Sequence, residues 1–120
     1  MTGRRAEDLA AKELKKRGYR IIDRNIVLQC GEIDILANDG ENLVIVEVKS
    51  LKNPKEGFTP SVHLNKAKRK RLVRLAAELT RKKKLRGLPV RFDLVSVIFS
   101  NGGASLEIFT RVFDVQGRLV

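Results

Sequence analysis

Three carboxylates and one lysine interrupt the otherwise apolar stretch GEIDILANDGENLVIVEVKS, which spans residues 31–50. They are Glu32, Asp34, Glu47 and Lys49. Carboxylate oxygens are the ligands that Mg²⁺ and Mn²⁺ prefer in proteins. A bound divalent ion polarises a phosphoryl oxygen, and a lysine stabilises the charge that develops there. Side chains of these types, brought together, have the chemistry needed to hydrolyse a phosphodiester.

The stretch predicts a β-hairpin with two different faces. Because side chains alternate between faces along a strand, one face is expected to be wholly apolar. It comprises Ile33, Ile35, Ala37, Val44, Val46 and Val48. The other face is mixed and comprises Glu32, Asp34, Leu36, Leu43, Ile45, Glu47 and Lys49. All four charged residues are therefore expected on the same face.

The length of the turn decides which charged residues face each other. With a four-residue loop over 39–42, Asp34 lies opposite Glu47 and Glu32 lies opposite Lys49. With a two-residue turn over 39–40, Glu47 faces Glu32 and Asp34 is its diagonal neighbour. Both registers preserve the apolar face. The sequence leaves the choice open, but either register brings Asp34 and Glu47 within reach of each other.

Two carboxylates that face each other across strands destabilise a sheet unless a cation lies between them. We therefore expect Asp34 and Glu47 to share a Mg²⁺ or Mn²⁺ ion, with Lys49 beside it. The alternative is a set of ordinary exposed ion pairs, in which Lys49 binds Glu32 or Glu47.

The rest of the chain predicts the elements that position this hairpin. Apolar residues recur at helical spacing from Arg5 to Arg17, and a long amphipathic helix is expected from about Ser61 to Lys84. Runs rich in β-branched residues predict strands at 19–29, with a bend near Asp23–Asn25, at 88–100 and at 104–115. The expected order is α-β-β-β-α-β-β. It predicts one α/β domain over residues 1–120, with a mixed sheet of about five strands flanked by helices.

Positive charge is concentrated on the second predicted helix. Residues 66–86 contain eleven Lys or Arg and one acid, Glu78, and so carry nearly the whole net charge of +11. A charge gathered on one element is typical of a surface that binds a polyanion such as nucleic acid. The alternative is a helix whose basic face is simply solvated.

Composition excludes several other classes of function. The single cysteine, Cys30, rules out an intrachain disulfide and favours the reducing cytoplasm. We expect it to be a small buried residue, and we expect the single histidine, His63, to have a surface or capping role. No stretch approaches the ~20 apolar residues that a membrane span requires. Few aromatic residues and no Trp argue against an RNA-binding platform of stacked rings.

Several short motifs together resemble a known family. GEIDIL followed by VIVEVKS is similar to the Asp…Glu-x-Lys core of the restriction-endonuclease-like nucleases, the PD-(D/E)xK superfamily. The resemblance is closer to the bacterial YraN family of endonuclease-like proteins. Its pattern matches Gly3, AEDLAAKEL, Gly18-Tyr19, Asn25, Gly31–Asp34, Val46–Lys49, KAKRKRLVRLA and Arg91–Asp93. Archaeal Holliday-junction resolvases look like more distant relatives, and their dimeric state makes a homodimer plausible here.

The resemblance implies a restriction-endonuclease-like fold and assigns roles to individual residues. Asp34, Glu47 and the Val48 carbonyl would bind the metal, and Lys49 would be the catalytic lysine. Glu7 matches an acidic residue that reaches the metal directly or through water. The loop from Leu51 to Pro60 would lie near the substrate. The basic helix would contact nucleic acid through Lys66, Lys68, Arg69, Arg71 and Arg74.

The leading hypothesis is therefore a Mg²⁺- or Mn²⁺-dependent endonuclease acting on DNA, branched or flapped DNA included. The alternative is a nucleic-acid-binding module that keeps the nuclease fold without turnover. A third hypothesis is a basic protein whose charge serves an acidic protein partner.

Overall fold

A computed structural model describes residues 3–55, 64–82, 85 and 87–119. The elements are α1 (Gly3–Lys16), β1 (Arg20–Leu28), β2 (Gly31–Asn38), β3 (Leu43–Lys52), α2 (Lys66–Lys82), β4 (Val90–Ser100) and β5 (Gly103–Phe113). This order confirms the predicted α/β fold class. Over the described residues, neither helix is long and apolar enough to cross a membrane.

The five strands form one mixed sheet in the order β1-β2-β3-β4-β5. Neighbouring strands are antiparallel except for β3 and β4, which are parallel. Parallel strands require a crossover connection, and α2 lies in that connection. The β2–β3 hairpin pairs Asn38 with Leu43, which corresponds to the four-residue loop of the two registers that the sequence leaves open.

Each face of the sheet is covered by one helix. On the α1 face, Ala6, Ala10 and Leu14 pack against Ile35, Val44, Val46 and Val95. On the α2 face, Leu72, Leu75 and Leu79 pack against Ile33, Leu36, Leu43, Ile45 and Phe92. The prediction of one apolar and one mixed face was therefore incomplete, because both faces of the hairpin are buried over most of its length.

The predicted alternation is also wrong at one residue of β2. Ile33 packs on the α2 face with Leu36, whereas Ile35 packs on the α1 face. The side-chain alternation is thus broken around Asp34. The adjacent strand β1 is irregular as well. Asn25 adopts a φ of 52°, and the β1–β2 register shifts between Ile21 and Asp23. This is the bend that the sequence predicts near Asp23–Asn25.

α1 is followed by a glycine that ends the helix. Gly18 adopts a φ of 93°, which a residue with a Cβ rarely reaches. The Tyr19 N–H donates to the Leu14 carbonyl at 3.0 Å, and the Gly18 N–H donates to the Lys15 carbonyl at 3.0 Å. These two bonds satisfy carbonyls that the helix end would otherwise leave unpaired.

α2 begins later than the sequence predicts. The Asn65 side chain accepts a hydrogen bond from the Lys68 N–H at 2.8 Å and so caps the helix, which starts at Lys66 rather than near Ser61. Asparagine competes with helical backbone bonding and is favoured at this capping position. Residues 61–63, His63 among them, lie outside the described residues.

A buried polar network joins the chain at the hairpin-loop end of the sheet. Arg91 donates from Nε and Nη2 to the two carboxylate oxygens of Asp93, at 3.0 Å each. It also donates to the Tyr19 hydroxyl at 2.7 Å and to the carboxylate of Asp39 in the β2–β3 loop. Asp93 further accepts the Arg111 N–H at 3.1 Å, where the β4–β5 register shifts. Arg91 and Asp93 therefore form a buried structural ion pair at the centre of this cluster.

We expect Arg91→Ala to lower the free energy of unfolding by about 3–5 kcal/mol, because it leaves the fully buried Asp93 carboxylate without its counterion. Urea unfolding followed by circular dichroism measures the change. The matched control is Arg118→Ala, since the Arg118–Asp114 pair is exposed and its loss is expected to cost less than about 1 kcal/mol. Equal effects of the two substitutions would contradict this role.

Candidate active site

Asp34 and Glu47, the two carboxylates predicted to share a metal ion, lie where β2 and β3 separate. The regular ladder between the strands runs from the Asn38–Leu43 pair to the Ile35–Val46 pair. At the next step, the Val48 N–H donates to the Asp34 carboxylate at 2.8 Å. A side-chain bond thus replaces the backbone bond at this point. It fixes the Asp34 carboxylate at the opening between the strands.

Three carboxylates from two elements, α1 and β2, converge at this opening. Glu7 of α1, Glu32 and Asp34 each offer an oxygen, and these oxygens lie within 4.8 Å of one another. Glu7 is only 8% exposed, and its Oε1 is buried without a hydrogen-bond partner. A buried carboxylate oxygen without a donor is costly unless a cation satisfies it. The donor set therefore fits a hard divalent ion.

The pKa of Asp34 is raised from its ordinary value of 3.8 to about 7. Burial is the largest cause, and the negative charge of Glu47 is the next. The hydrogen bond from the Val48 N–H opposes the shift, and the charge of Glu7 adds to it. The site thus holds its carboxylates closer together than their charges favour, which is the condition that a bound cation relieves.

Glu7 is positioned by residues of β1. The Asn25 side chain hydrogen-bonds to the Glu7 carboxylate, and Arg24 lies 3.8 Å from its Oε1. Arg24 is held more tightly by Asp8, at 2.6 Å. Burial nevertheless outweighs these contacts and raises the pKa of Glu7. Asn25 was part of the sequence motif but had no assigned role, and its left-handed backbone at the β1 irregularity accompanies this contact.

Glu47 already has a cationic partner within the chain. Lys68, near the start of α2, places its Nζ 2.8 Å from Glu47 Oε2. Glu47 is 9% exposed, so this contact neutralises a largely buried charge. The sequence marked Lys68 only as a phosphate contact. Its partner could not be found from spacing, because α2 and β3 meet only through the tertiary fold.

The compact carboxylate group overlaps with the expected site residues. Asp34 and Glu7 belong to both, and the third carboxylate of the group is Glu32 rather than Glu47. Glu47 remains close enough to raise the pKa of Asp34. Lys49 is exposed and lies two residues beyond Glu47 on β3. Glu32, to which the resemblance assigns no role, thus lies with Glu7 and Asp34 in this group.

The predicted phosphate-binding residues of α2 lie in different surroundings. Lys66, Arg71 and Arg74 are exposed. Arg69 instead donates to the backbone carbonyls of Leu64 at 2.6 Å and Gly117 at 2.8 Å, and so ties the start of α2 to the C-terminal segment.

The β1–β2 turn is held by Glu78, the one acid of the basic segment 66–86. The carboxylate of Glu78 in α2 accepts a hydrogen bond from the Gln29 N–H at 3.1 Å. This bond is the largest cause that lowers the pKa of Glu78, and Lys82 lowers it further. Cys30, expected to be buried, is exposed in this turn, with its thiol 3.7 Å from Glu78. A turn residue has no core to enter, which explains the wrong expectation.

Comparisons with known proteins place the chain among close sequence relatives. The model of a family described as "Uncharacterised protein family UPF0102" matches residues 6–97. A UPF0102 protein of Syntrophus aciditrophicus is 35% identical over 114 residues, which cover 95% of this chain and 89% of the relative. One from Arthrobacter sp. is 45% identical over 103 residues, with 86% of each chain covered. One from Anaeromyxobacter dehalogenans is 39% identical over 116 residues, covering 97% and 86%.

A solved structure shows a weaker likeness. Pyrococcus furiosus SfsA, described as a complex with Ca²⁺, aligns with a TM-score of 0.42 and 19% sequence identity. The alignment covers 88% of this chain and 59% of the SfsA chain.

We expect Asp34→Asn to stabilise the protein at pH 8 in the presence of a chelator. The folded pKa of about 7 exceeds the ordinary value of 3.8, so the folded protein holds the extra proton and loses stability as pH rises through 7. Allowing for the part of Asp34 that solvent reaches, the gain is about 1–2 kcal/mol at pH 8 and vanishes near pH 4.

Urea unfolding at pH 4, 6 and 8 measures this dependence. Glu107→Gln, which removes an exposed carboxylate from β5, is the control and should show little difference at any of these values. A stability difference for Asp34→Asn that does not change with pH would contradict the raised pKa.

Proposed function

The chain belongs to the UPF0102 family, also called the YraN family, and we propose that it is a metal-dependent nuclease that hydrolyses phosphodiester bonds in DNA. The observation that carries the proposal is the convergence of Glu7, Glu32 and Asp34, with Glu47 nearby, at the opening between β2 and β3. Exposed carboxylates that serve only solubility have no reason to be gathered and partly buried in this way.

The chain's own residues would hold a Mg²⁺ or Mn²⁺ ion. Asp34 and Glu7 are the first candidates, because one has a raised pKa and the other has a buried oxygen without a donor. Glu32, Glu47 and the Val48 carbonyl are the further oxygen ligands within the same region. A bound divalent ion would polarise a phosphoryl oxygen and lower the pKa of its water.

The remaining chemistry falls to residues with fixed positions. The Val48 N–H holds the Asp34 carboxylate, and the Asn25 side chain holds Glu7, so neither ligand has to be ordered when substrate binds. Lys49 projects from the strand that carries Glu47, and its ammonium group is suited to stabilise charge on a phosphoryl group in the transition state.

The basic face of α2 supplies the nonspecific attraction for nucleic acid. Lys66, Arg71 and Arg74 are exposed, and Lys68 links the helix to Glu47 at the site. A phosphate backbone lying along this helix would therefore pass beside the carboxylates. The resemblance favours DNA over RNA and branched or flapped forms among DNA structures. A homodimer, suggested by the likeness to resolvases, is likewise a proposal.

A second candidate function is a nucleic-acid-binding module without turnover. The Lys68–Glu47 ion pair favours it, because the protein itself supplies a cation to Glu47 at 2.8 Å. A divalent ion that needed Glu47 would have to compete with this lysine. Divalent-ion titration by calorimetry separates the two candidates, since the binding module should take up no ion at the site while still binding DNA.

We expect Asp34→Asn to reduce Mn²⁺-dependent cleavage of flap or four-way DNA by at least about a hundredfold, since it removes a central metal ligand. Lys49→Ala should reduce cleavage to a similar degree without weakening DNA binding. A gel assay on linear, nicked, flap and four-way substrates measures the rate, with Glu107→Gln as the control. Cleavage that survives chelator, or that Asp34→Asn does not change, would overturn the proposal.

We expect Arg74→Gln to weaken DNA binding at every sequence and to lower the slope of log affinity against log salt by about one. Arg69→Gln should instead destabilise the fold, because its guanidinium holds two backbone carbonyls. Fluorescence anisotropy between low and physiological salt measures the slope. Lys15→Gln, which removes an exposed cation at the end of α1, is the control and should leave the slope unchanged.

A further inference from the structure

A second concave site lies on the α1 face, near the ends of β3 and β4. It has a volume of about 320 Å³. Its walls are formed by Arg5, Lys52, Asn53, Phe99 and the β4–β5 turn over 100–103. None of these residues belongs to the carboxylate group.

The cavity and the carboxylates flank the first turns of α1 from opposite sides. Arg5 lines the cavity and Glu7 joins the carboxylate group. Because they are two positions apart in an α-helix, their side chains are separated by about 200° around the helix axis. Ala6 between them is buried against the sheet. Along β3, Lys52 lies five residues beyond Glu47, which corresponds to about 16 Å. The two sites are thus near neighbours on either side of the start of α1.

The main walls of the cavity belong to paired strands. Lys52 is paired with Phe99 in the parallel β3–β4 ladder, and the Asn53 N–H donates to the Phe99 carbonyl at 2.7 Å. The Arg5 guanidinium lies 5.4 Å from the centroid of the Phe99 ring. Asn101 and Gly102 both have positive φ values, as a tight hairpin turn requires. The cavity is thus formed by contacts within the fold and does not require a ligand to shape it.

The lining groups match the parts of a nucleotide. Arg5 and Lys52 are cationic, and the lining residues that the structure describes include no acid, so an anion is favoured. The Phe99 ring and the planar Arg5 guanidinium are surfaces on which a base stacks. Asn53 adds an amide group at the wall. The volume lies at the small end of the range for ligand sites and suits one nucleotide rather than a duplex.

We infer that this cavity holds an unpaired nucleotide of the strand whose phosphodiester lies at the carboxylates. The inference rests on the proposed function and names its substrate class, which is DNA with a single-stranded segment. A fully paired duplex cannot offer a free base at that point.

Equilibrium binding in EDTA tests the inference without requiring a metal or cleavage. The probes are a labelled 20-base-pair blunt duplex and the same duplex with an eight-nucleotide single-stranded flap. We expect the wild-type chain to bind the flapped duplex about tenfold more tightly, as stacking of one base allows. Arg5→Gln and Phe99→Leu should each remove most of this preference and leave the affinity for the blunt duplex nearly unchanged.

Arg4→Gln is the matched control, since Arg4 is an exposed cation on the same helix and does not line the cavity. Thermal melts identify any loss of fold in Phe99→Leu, and Arg5→Gln carries the test if that variant is unstable. Equal wild-type affinity for the two probes, or no binding to either, would overturn the inference. An equal loss on both probes in Arg5→Gln would overturn it too. A chain that prefers the flap but never cuts DNA would overturn the proposed activity alone.

Discussion

The hydrogen bond from the Val48 N–H to the Asp34 carboxylate is the contact on which the site depends. It lies at the first step where β2 and β3 no longer pair through their backbones. Without it, a half-buried carboxylate beside Glu47 would turn toward solvent, since burial and the neighbouring charge both oppose its ionised form. The bond therefore holds together groups that repel each other. The free energy for this arrangement comes from the apolar packing on both sides of the sheet, which fixes where the strands part.

Buried charges are compensated differently at the two ends of the hairpin. At the loop end, Arg91, Asp93, Asp39 and Tyr19 satisfy one another, and every charge has an opposite charge within the chain. At the open end, Lys68 pairs with Glu47 and Arg24 lies 3.8 Å from Glu7, but Glu7 keeps a buried oxygen without a hydrogen-bond donor and Asp34 has a raised pKa. The first arrangement is what stability alone favours. The second leaves an unmet need for positive charge, and this contrast is the physical reason to look for function at the open end.

Much of the fold was predictable because its signals are local. Helical periodicity in α1 and the runs of β-branched residues in the strands each act within a few residues, and the structure confirms the elements that they predict. Other features depend on contacts between distant segments. Ile33 changes face where β1 is irregular at Asn25, and α2 starts at Lys66, where Asn65 caps it. Cys30 was expected to be buried but lies in an exposed turn.

At the site, local sequence patterns are enough to predict the available residue types and the proximity of Asp34 and Glu47. Alternation along strands and the short hairpin loop require this proximity in either register. The other features of the site come from contacts between distant segments. The tertiary structure selected the four-residue loop, brought Glu7 from α1 to Glu32 and Asp34, and gave Glu47 a partner in Lys68. These contacts join elements that are far apart in the chain, and their distances follow from how the helices pack on the sheet, which no local pattern encodes.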